Sequence, residues 1–301
     1  MAVISDNIRG ASLMMGSMAA FTLNDACMKS LAPDLPLAQA VFLRGIATTL
    51  LIYALARHFG ALKLGMSRRD RLITMGRNVM EIGTAYFFIT ALYNMPIANA
   101  SAIMQALPLT VTLAGAVLLG QAVGWRRLSA ILIGFAGVML IVRPGMDGFN
   151  IYSLYALGAV VMVTFRDVLS RKLSAEVPSI TVALSNAFSV TVAFGLASIF
   201  TDWQPLTGAS AAKLAGASVF IIGGYLFSVS AMRVGEIAVI APFRYTSLLC
   251  AIVLGLLVFA EWPDALTFLG AGIVVATGVY TFYRERRLSA AAAQRVAVDK
   301  D

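Results

Sequence analysis

Charged residues are scarce in this sequence. Of its 301 residues, 13% are Asp, Glu, Lys or Arg and 59% are hydrophobic, and the mean hydropathy is +0.84. A soluble domain has roughly a quarter of its residues charged, so much of this surface must face something other than water. The shortage excludes a water-soluble globular protein and leaves no room for a separate extramembrane catalytic domain.

The residues that build most catalytic and metal sites are scarce as well. His58 is the only histidine, which excludes a histidine-based metal site or catalytic triad. Cys27 and Cys250 lie far apart in apolar stretches, so we expect two buried free thiols and no disulfide. Neither the nucleotide-binding GxxxxGK[ST] motif nor the hydrolase GxSxG motif occurs. We expect no enzyme, no cofactor and no metal; a membrane enzyme or a non-transporting scaffold is the alternative of another class.

Long apolar runs take up most of the chain. A bilayer core about 30 Å thick needs roughly 20 apolar residues per crossing helix. Runs of about that length lie at about 9–30, 37–56, 72–93, 97–119, 128–142, 152–170, 179–200, 213–232, 237–259 and 265–283. We therefore predict an all-α polytopic membrane protein with ten transmembrane helices. The first run is predicted to be a retained helix, because Asn24 and Asp25 do not suit a cleaved signal peptide.

Basic residues are distributed unevenly between the two ends of these runs. If the N-terminus is cytoplasmic, sixteen Lys and Arg residues lie in cytoplasmic segments and only Lys29, Arg143 and Lys213 lie in outer loops. Cytoplasmic loops hold the excess of Lys and Arg in membrane proteins, so we predict that both termini are cytoplasmic. The net charge of +8 is then a topology signal, and we expect no nucleic-acid partner.

The two halves of the chain repeat each other. At an offset of 142 residues, 24–36 aligns without a gap on 166–178, so that Asp25 meets Asp167 and Lys29 meets Arg171. We predict two repeats of five helices, at 8–143 and 150–285, followed by a cytoplasmic tail at 286–301. An odd number of helices inverts the second repeat relative to the first. Inverted repeats are typical of alternating-access transporters, which bind substrate between the halves.

Motifs in both halves resemble a known family. They are Ala-Leu-Tyr-Asn-Met-Pro at 91–96, Gly-Phe-Ala-Gly-Val at 134–138, Ala-Pro-Phe-Arg-Tyr-Thr-Ser at 241–247, Phe-Ala-Glu-Trp-Pro-Asp at 259–264 and Tyr-Arg-Glu at 283–285. Over residues 8–287 the chain resembles the ten-helix EamA branch of the drug/metabolite transporter superfamily. The resemblance implies a transporter of small metabolites such as amino acids, S-adenosylmethionine or riboflavin. Gln121 departs from the family's glutamate, whereas its second-repeat counterpart Glu261 is kept.

Apart from Arg9, Lys29 and Lys213 at the ends of runs, seven charged residues fall inside the apolar runs. A charge in the bilayer is costly unless it faces the bundle interior and is paired, so such residues mark functional sites. They are Asp25, Arg44, Arg77, Glu81, Arg166, Asp167 and Arg244. We predict an outer pair of Asp25 with Arg44 and an inner cluster of the other five, in which Arg77 and Glu81 pair along one helix face. The two groups would act as alternating gates.

A structural alternative stays open for two of these acids. Asp25 precedes Lys29 by four residues and Asp167 precedes Arg171 by four residues, a spacing that suits simple ion pairs at helix ends.

Polar and aromatic side chains complete the predicted site. Gln105 and Tyr245 could hydrogen-bond a ligand, and Pro242 weakens the helix beside Tyr245. An interior with four arginines, three acids and many rings suggests a planar or amphipathic solute, so riboflavin-type uptake is our first hypothesis. Transport of S-adenosylmethionine or an amino acid, in either direction, is the alternative. The predicted partners are a small metabolite and the lipid of a bacterial inner membrane.

Small residues recur in two of the predicted helices, at 130, 134 and 137 and at 270, 272 and 278. Small side chains let helix backbones approach closely. We predict packing within one monomer at these positions, with a homodimer face as the weaker alternative.

Overall fold

The computed structural model describes residues 2–58, 65–120, 124–145, 149–174, 176–234 and 237–298, and over these ranges the regular structure is entirely helical. Seven helical stretches are long and apolar enough to cross a bilayer, and Leu128–Val142 is a shorter apolar helix. The chain is therefore an all-α polytopic membrane protein, as the composition predicted.

Twelve α-helices and one 3-10 helix make up the described part of the chain. They are α1 (Ala2–Lys29), α2 (Leu37–His58), α3 (Arg68–Asn94), α4 (Ile97–Met104), α5 (Leu107–Leu119), α6 (Trp125–Val142), α7 (Tyr152–Ser170), α8 (Ser179–Ser198), α9 (Gly208–Val234), α10 (Ile237–Ile240), the 3-10 helix (Ala241–Tyr245), α11 (Thr246–Phe259) and α12 (Ala265–Val298). Helices α1 and α3 are long enough to cross, with 28 and 27 residues, but neither is among the seven stretches that are also apolar enough. The count of ten spans stays a prediction.

The helix boundaries differ from the predicted runs at both ends of the chain. Helix α1 begins at Ala2 rather than near residue 9, and α12 continues to Val298, into the segment predicted as a tail. Hydropathy marks the part of a helix that suits a bilayer, whereas the helical backbone can extend further wherever the sequence favours it. Residues 290–293 are four consecutive alanines, the residue with the highest helix propensity.

Two predicted spans are interrupted. A turn at Gln105–Ala106 divides 97–119 into α4 and α5, and the 3-10 helix divides 237–259 into α10 and α11. A proline lies within a few residues of each interruption, Pro108 in one span and Pro242 in the other, and proline disturbs a helix by removing an N–H and crowding the preceding turn. The two interruptions meet, since Gln105 Nε2 donates to Ser247 Oγ over 2.6 Å.

The main helix contacts join the two halves of the chain. Helix α1 packs on α9, α2 on α8, α3 on α7, α4 on α11 and α6 on α12. Each of these pairs takes one helix from either half, so the protein interior lies between the halves. Fully buried side chains such as Leu31, Leu92 and Ile97 fill this interior next to the carboxyl end of α1.

Loop residues also tie the halves together. Lys213 Nζ donates to Asp34 Oδ2 over 2.7 Å, and this hydrogen bond holds the pKa of Asp34 below its usual value. Asp70, at the start of α3, accepts hydrogen bonds from the hydroxyl groups of Ser67 and Ser174 at 2.7 and 2.8 Å. These bonds lower the pKa of the Asp70 carboxyl in the same way.

Two of the predicted small residues bring α6 and α12 into backbone contact. A Cβ added to Gly270 would lie 2.5 Å from the carbonyl oxygen of Gly137, and one added to Gly137 would lie 2.8 Å from the carbonyl oxygen of Gly270. Gly278 packs against the ring of Tyr245, whereas nothing lies within 4 Å of a Cβ at Gly272. The close contact is therefore within the monomer, as predicted.

This contact predicts a difference between two neighbouring substitutions. Gly270→Ala should lower the free energy of unfolding by about 1–3 kcal/mol, because backbone atoms cannot move away from the new methyl group. Gly272→Ala should be neutral or stabilising, because it meets open space and removes a flexible residue from a helix. Thermal unfolding of the two variants in detergent compares them directly, and equal midpoints would contradict the described contact.

Candidate functional site

A cavity of about 700 Å³ lies between the two halves of the protein. Eight of the nine residues that the sequence singled out line it, and Arg77 does not. The eight are Asp25, Arg44, Glu81, Gln105, Arg166, Asp167, Arg244 and Tyr245. They come from distant parts of the chain. The packing of α3 on α7, and of α1 on α3 and α9, brings them around one space.

The cavity is closed at one end. Beyond Asp25, the side chains of Met28, Leu31 and Leu92 are completely buried and fill the space near the carboxyl end of α1, which we term the Lys29 end. At the opposite end, termed the Arg171 end, the lining includes Arg171, whose side chain is exposed. Access to the cavity is therefore from the Arg171 end.

An arginine between two carboxylates forms the ionic centre of the cavity. Arg166 Nη1 lies 3.0 Å from Glu81 Oε2, and Arg166 Nη2 lies 2.9 Å from Asp167 Oδ1. The Nε of Arg166 also donates to Asp167 Oδ1 over 3.0 Å. These bonds join α3 to α7, and the triad carries one net negative charge.

The predicted pair of Arg77 with Glu81 is not the one that forms. Glu81 binds Arg166 on the facing helix, and the buried Nε of Arg77 has no hydrogen-bond partner within the described ranges. Two residues four apart share a helix face, but the contact between α3 and α7 brings a second arginine nearer to the carboxylate. Direct ion pairs within the predicted inner cluster therefore join Glu81, Arg166 and Asp167, and Arg77 lies close enough to interact with these three through its charge alone.

Asp25 and Arg44 meet through an intermediate side chain. Arg44 Nη1 donates to Asn24 Oδ1 over 3.2 Å, and Asn24 Nδ2 donates to Asp25 Oδ1 over 2.9 Å. No direct ion pair between Asp25 and Arg44 occurs in the described structure, so the predicted outer pair interacts through charge and through Asn24 rather than by contact. The amide of Asn24 can bridge the two charges because it offers both an acceptor and a donor.

A second ionic contact, at the Lys29 end, was missed by the sequence reasoning. Lys29 is only 9% exposed and its Nζ lies 3.0 Å from Glu261 Oε1. The same Nζ donates to the backbone oxygens of Leu92 and Met95, and Glu261 Oε2 accepts the N–H of Ile97 over 3.1 Å. Lys29 therefore ties the end of α1 to the α3–α4 and α11–α12 connections.

This contact also decides the structural alternative for the two acids. Lys29 pairs with Glu261 rather than with Asp25, and Asp167 pairs with Arg166 rather than with Arg171. The sequence offered one signal, since Lys29 and Arg171 coincide in the repeat, but nothing in the spacing joins Lys29 to a residue more than two hundred positions away.

The interrupted spans supply the other polar groups of the cavity. Ser247, which accepts from Gln105, donates its hydroxyl to the backbone oxygen of Arg244 over 3.1 Å. The Arg244 side chain is exposed in the cavity, and no ion pair to it occurs among the described residues. Tyr245 is buried against Gly278. The described residues include no group of three His, Cys, Asp or Glu side chains that could hold a metal ion.

Comparison with known proteins identifies the family. The EamA-like transporter family matches residues 8–143 and 150–283 of the chain. The chain belongs to this family. The resemblance expected from the motifs is thereby confirmed, and so is the expectation of a multi-pass membrane protein. Gln121, where the chain departs from the family pattern, lies outside the described residues.

Individual relatives of this EamA-like protein are transporters with different cargo. The S-adenosylmethionine uptake transporter of Rickettsia prowazekii is 22% identical, covering 93% of this chain and 94% of the relative. The pseudopaline exporter CntI of Pseudomonas aeruginosa is 26% identical over 88% of this chain and 93% of its own length. The riboflavin transporter of Vibrio cholerae is 30% identical over 64% of this chain and 65% of its own length. These relatives support a transporter role for this chain. Their low identities and different cargoes do not specify its substrate.

A solved crystal structure shares the fold. Its TM-score is 0.65 at 19% identity, covering 92% of this chain and 98% of that chain. At that identity the likeness shows the fold alone.

Proposed function

We propose that this protein is a secondary transporter, and no enzyme, which moves a small metabolite across a bacterial inner membrane by alternating access. The observation that carries the proposal is the charged cavity between the halves, closed at the Lys29 end and accessible from the Arg171 end. A site reached from one side at a time is what alternating access requires.

The helix contacts support two inverted repeats, at 8–143 and 150–285. Suppose that α1, α2 and α3 of the first repeat correspond to α7, α8 and α9 of the second. The contact of α1 with α9 is then equivalent to the contact of α7 with α3, and the contact of α2 with α8 is equivalent to itself. All three contacts are present. The hydroxyl groups of Thr49 and Thr191 lie 3.1 Å apart, and these residues are separated by the repeat offset of 142. Two such halves can adopt a second arrangement in which the Arg171 end closes and the Lys29 end opens.

The orientation follows from the basic residues. With both termini cytoplasmic, the Arg171 end faces the cytoplasm, and the structure corresponds to the state open to the cytoplasm. A proton gradient or the gradient of the solute would drive exchange between the states. Of the three cavity carboxylates, Glu81 and Asp167 are held by Arg166, so Asp25 is the candidate proton carrier.

Two substrate classes fit different parts of the cavity. The rings of Phe21, Phe88 and Phe282 line it and could stack on a planar solute of the riboflavin type, our first hypothesis. The guanidinium of Arg244, which has no ion pair in the described part of the chain, favours the alternative, an amino acid or S-adenosylmethionine. It offers a carboxylate two parallel hydrogen bonds.

Flux into proteoliposomes tests the proposal. We expect one of labelled riboflavin, S-adenosylmethionine or the amino acids to cross with this protein and not with empty liposomes. For a carboxylate-bearing solute, Arg244→Gln should lower flux about tenfold or more, the loss typical of a hydrogen bond to a charged group. Folded protein that moves none of these solutes would contradict the proposed cargo classes.

A further inference from the structure

A second hollow lies on the outside of the helix bundle, away from the central cavity. It is a groove of about 520 Å³ between the start of α6 and the middle of α12. Trp125, Arg126 and Ile133 line it from α6, and Thr277 and Tyr280 line it from α12. Nothing in the transport proposal uses this groove.

Two arginines lie beside the aromatic rings of the groove: Arg126 lines it, and Arg284, just outside the lining, contacts Tyr280. The guanidinium carbon of Arg126 lies 5.3 Å from the centre of the Trp125 ring, and Arg284 Nη1 donates to the Tyr280 hydroxyl over 3.5 Å. No acidic residue is among the described lining residues, and no ion pair to either arginine occurs within the described ranges. The groove therefore presents positive charge that no acidic side chain described here balances.

The surroundings of the groove are those of the bilayer boundary. The side chains of Trp125 and Tyr280 are 73% and 46% exposed, and Leu132 and Ile133, further along α6, are 62% and 54% exposed. Trp and Tyr are enriched where a membrane protein meets the headgroups, and the exposed aliphatic side chains continue along the helix from there. A ligand bound here would meet guanidinium groups at one end and an apolar helix face at the other.

We propose that this groove binds an anionic phospholipid, with the phosphate of the headgroup between Arg126 and Arg284 and an acyl chain along Ile133. Arginine pairs with phosphate through two parallel hydrogen bonds, and Trp125 and Tyr280 flank the headgroup. The same two helices are in backbone contact at Gly137 and Gly270, so a lipid bound in the groove also bridges this helix pair at the end where Arg126 and Arg284 lie.

Lipid retention measured by native mass spectrometry tests the proposal. The purified protein is titrated with phosphatidylglycerol or with phosphatidylcholine of identical acyl chains. We expect phosphatidylglycerol to bind more tightly, and Arg126→Gln with Arg284→Gln to weaken its binding about twenty-five-fold, at about fivefold for each arginine near an anionic headgroup. Arg126→Lys with Arg284→Lys should retain most of the affinity, because the charge is kept.

Matched controls separate this site from a general effect of charge. Arg69→Gln with Arg71→Gln removes the same charge from exposed residues elsewhere and should leave phosphatidylglycerol binding unchanged. Glycerol phosphate, which has the headgroup chemistry without acyl chains, should not displace the lipid. Equal binding of the two lipids, equal losses in the two double variants, or displacement by glycerol phosphate would each overturn the proposal.

Discussion

Replacing Arg166 with glutamine is expected to lower the free energy of unfolding by about 3 kcal/mol and to abolish transport. Arg166 is 25% exposed and is the ion-pair partner of both Glu81 and Asp167 in the described structure. Without it, the carboxylates of Glu81 and Asp167, whose side chains are 28% and 39% exposed, face each other in the cavity with no cation between them, and water screens their repulsion only in part. Removing one member of such a group costs more than removing all of them.

Three variants distinguish the structural contribution of Arg166 from its contribution to transport. Arg166→Lys keeps the charge but loses the planar fork that reaches both acids, so it should fall between wild type and Arg166→Gln. The triple variant Arg166→Gln, Glu81→Gln and Asp167→Asn carries no charge and should recover most of the stability without recovering flux. Thermal unfolding in detergent gives the first quantity and proteoliposome flux the second. An Arg166→Gln protein that unfolds at the wild-type temperature would rule out this role.

Replacing Lys29 with methionine is expected to open the Lys29 end of the cavity. The substitution removes the ion pair with Glu261 and two hydrogen bonds to backbone oxygens. Losing the hydrogen bonds of a charged group costs about 1.5–3 kcal/mol, and this loss falls only on the state in which the Lys29 end is closed. The population open at that end should therefore rise by roughly tenfold or more.

Cys27 is a built-in probe of this opening. It lies two residues before Lys29 and packs against the apolar cluster that closes the Lys29 end. With Cys250 replaced by serine, Cys27 is the only thiol in the chain. A membrane-impermeant maleimide should then label Cys27 roughly tenfold faster in Lys29→Met than in the Lys29 background, because the half-buried thiol becomes more accessible when the closed end separates.

Lys213→Met is the matched control for this experiment. Lys213 forms an ion pair with Asp34, but its side chain is 34% exposed and that of Asp34 is 38% exposed. Exposed pairs of this kind contribute little to stability, so labelling of Cys27 should change little. Lys29→Arg should preserve slow labelling. Equal labelling rates in Lys29→Met and Lys213→Met would contradict a closing role for Lys29.

The fold class could be read from the sequence because a bilayer places strict demands on composition. Long apolar runs with few charges have few structural solutions other than membrane helices. The interruptions at Gln105–Ala106 and Ala241–Tyr245 were harder to see, because the residues on both sides stay apolar. Pro108 and Pro242 were the available signals, but a proline only weakens a helix, and its neighbours determine whether the helix bends or breaks.

The residues of the cavity were also accessible from the sequence, for a related reason. An Arg or Asp within an apolar run is conspicuous, and its cost in lipid indicates that it faces the bundle interior. The partners were not accessible. Spacing predicted Arg77 with Glu81 on one helix, and the structure has Arg166 there instead. Residue spacing describes neighbours on the same helix, whereas partners on other helices depend on how the helices cross.

The sequence by itself determined that the chain is a helical membrane protein of the EamA-like transporter family, with charges inside the membrane. Composition and motifs suffice for this, since they are properties of single segments. Only the tertiary structure decided which side chains are partners. Arg166 forms ion pairs with Glu81 and Asp167, and Asn24 bridges Asp25 and Arg44. Lys29 forms an ion pair with Glu261 at the closed end of the cavity. These contacts join residues from different helices. Their energies depend on distances of about 3 Å between atoms of different helices, and the sequence of a single segment does not specify such distances.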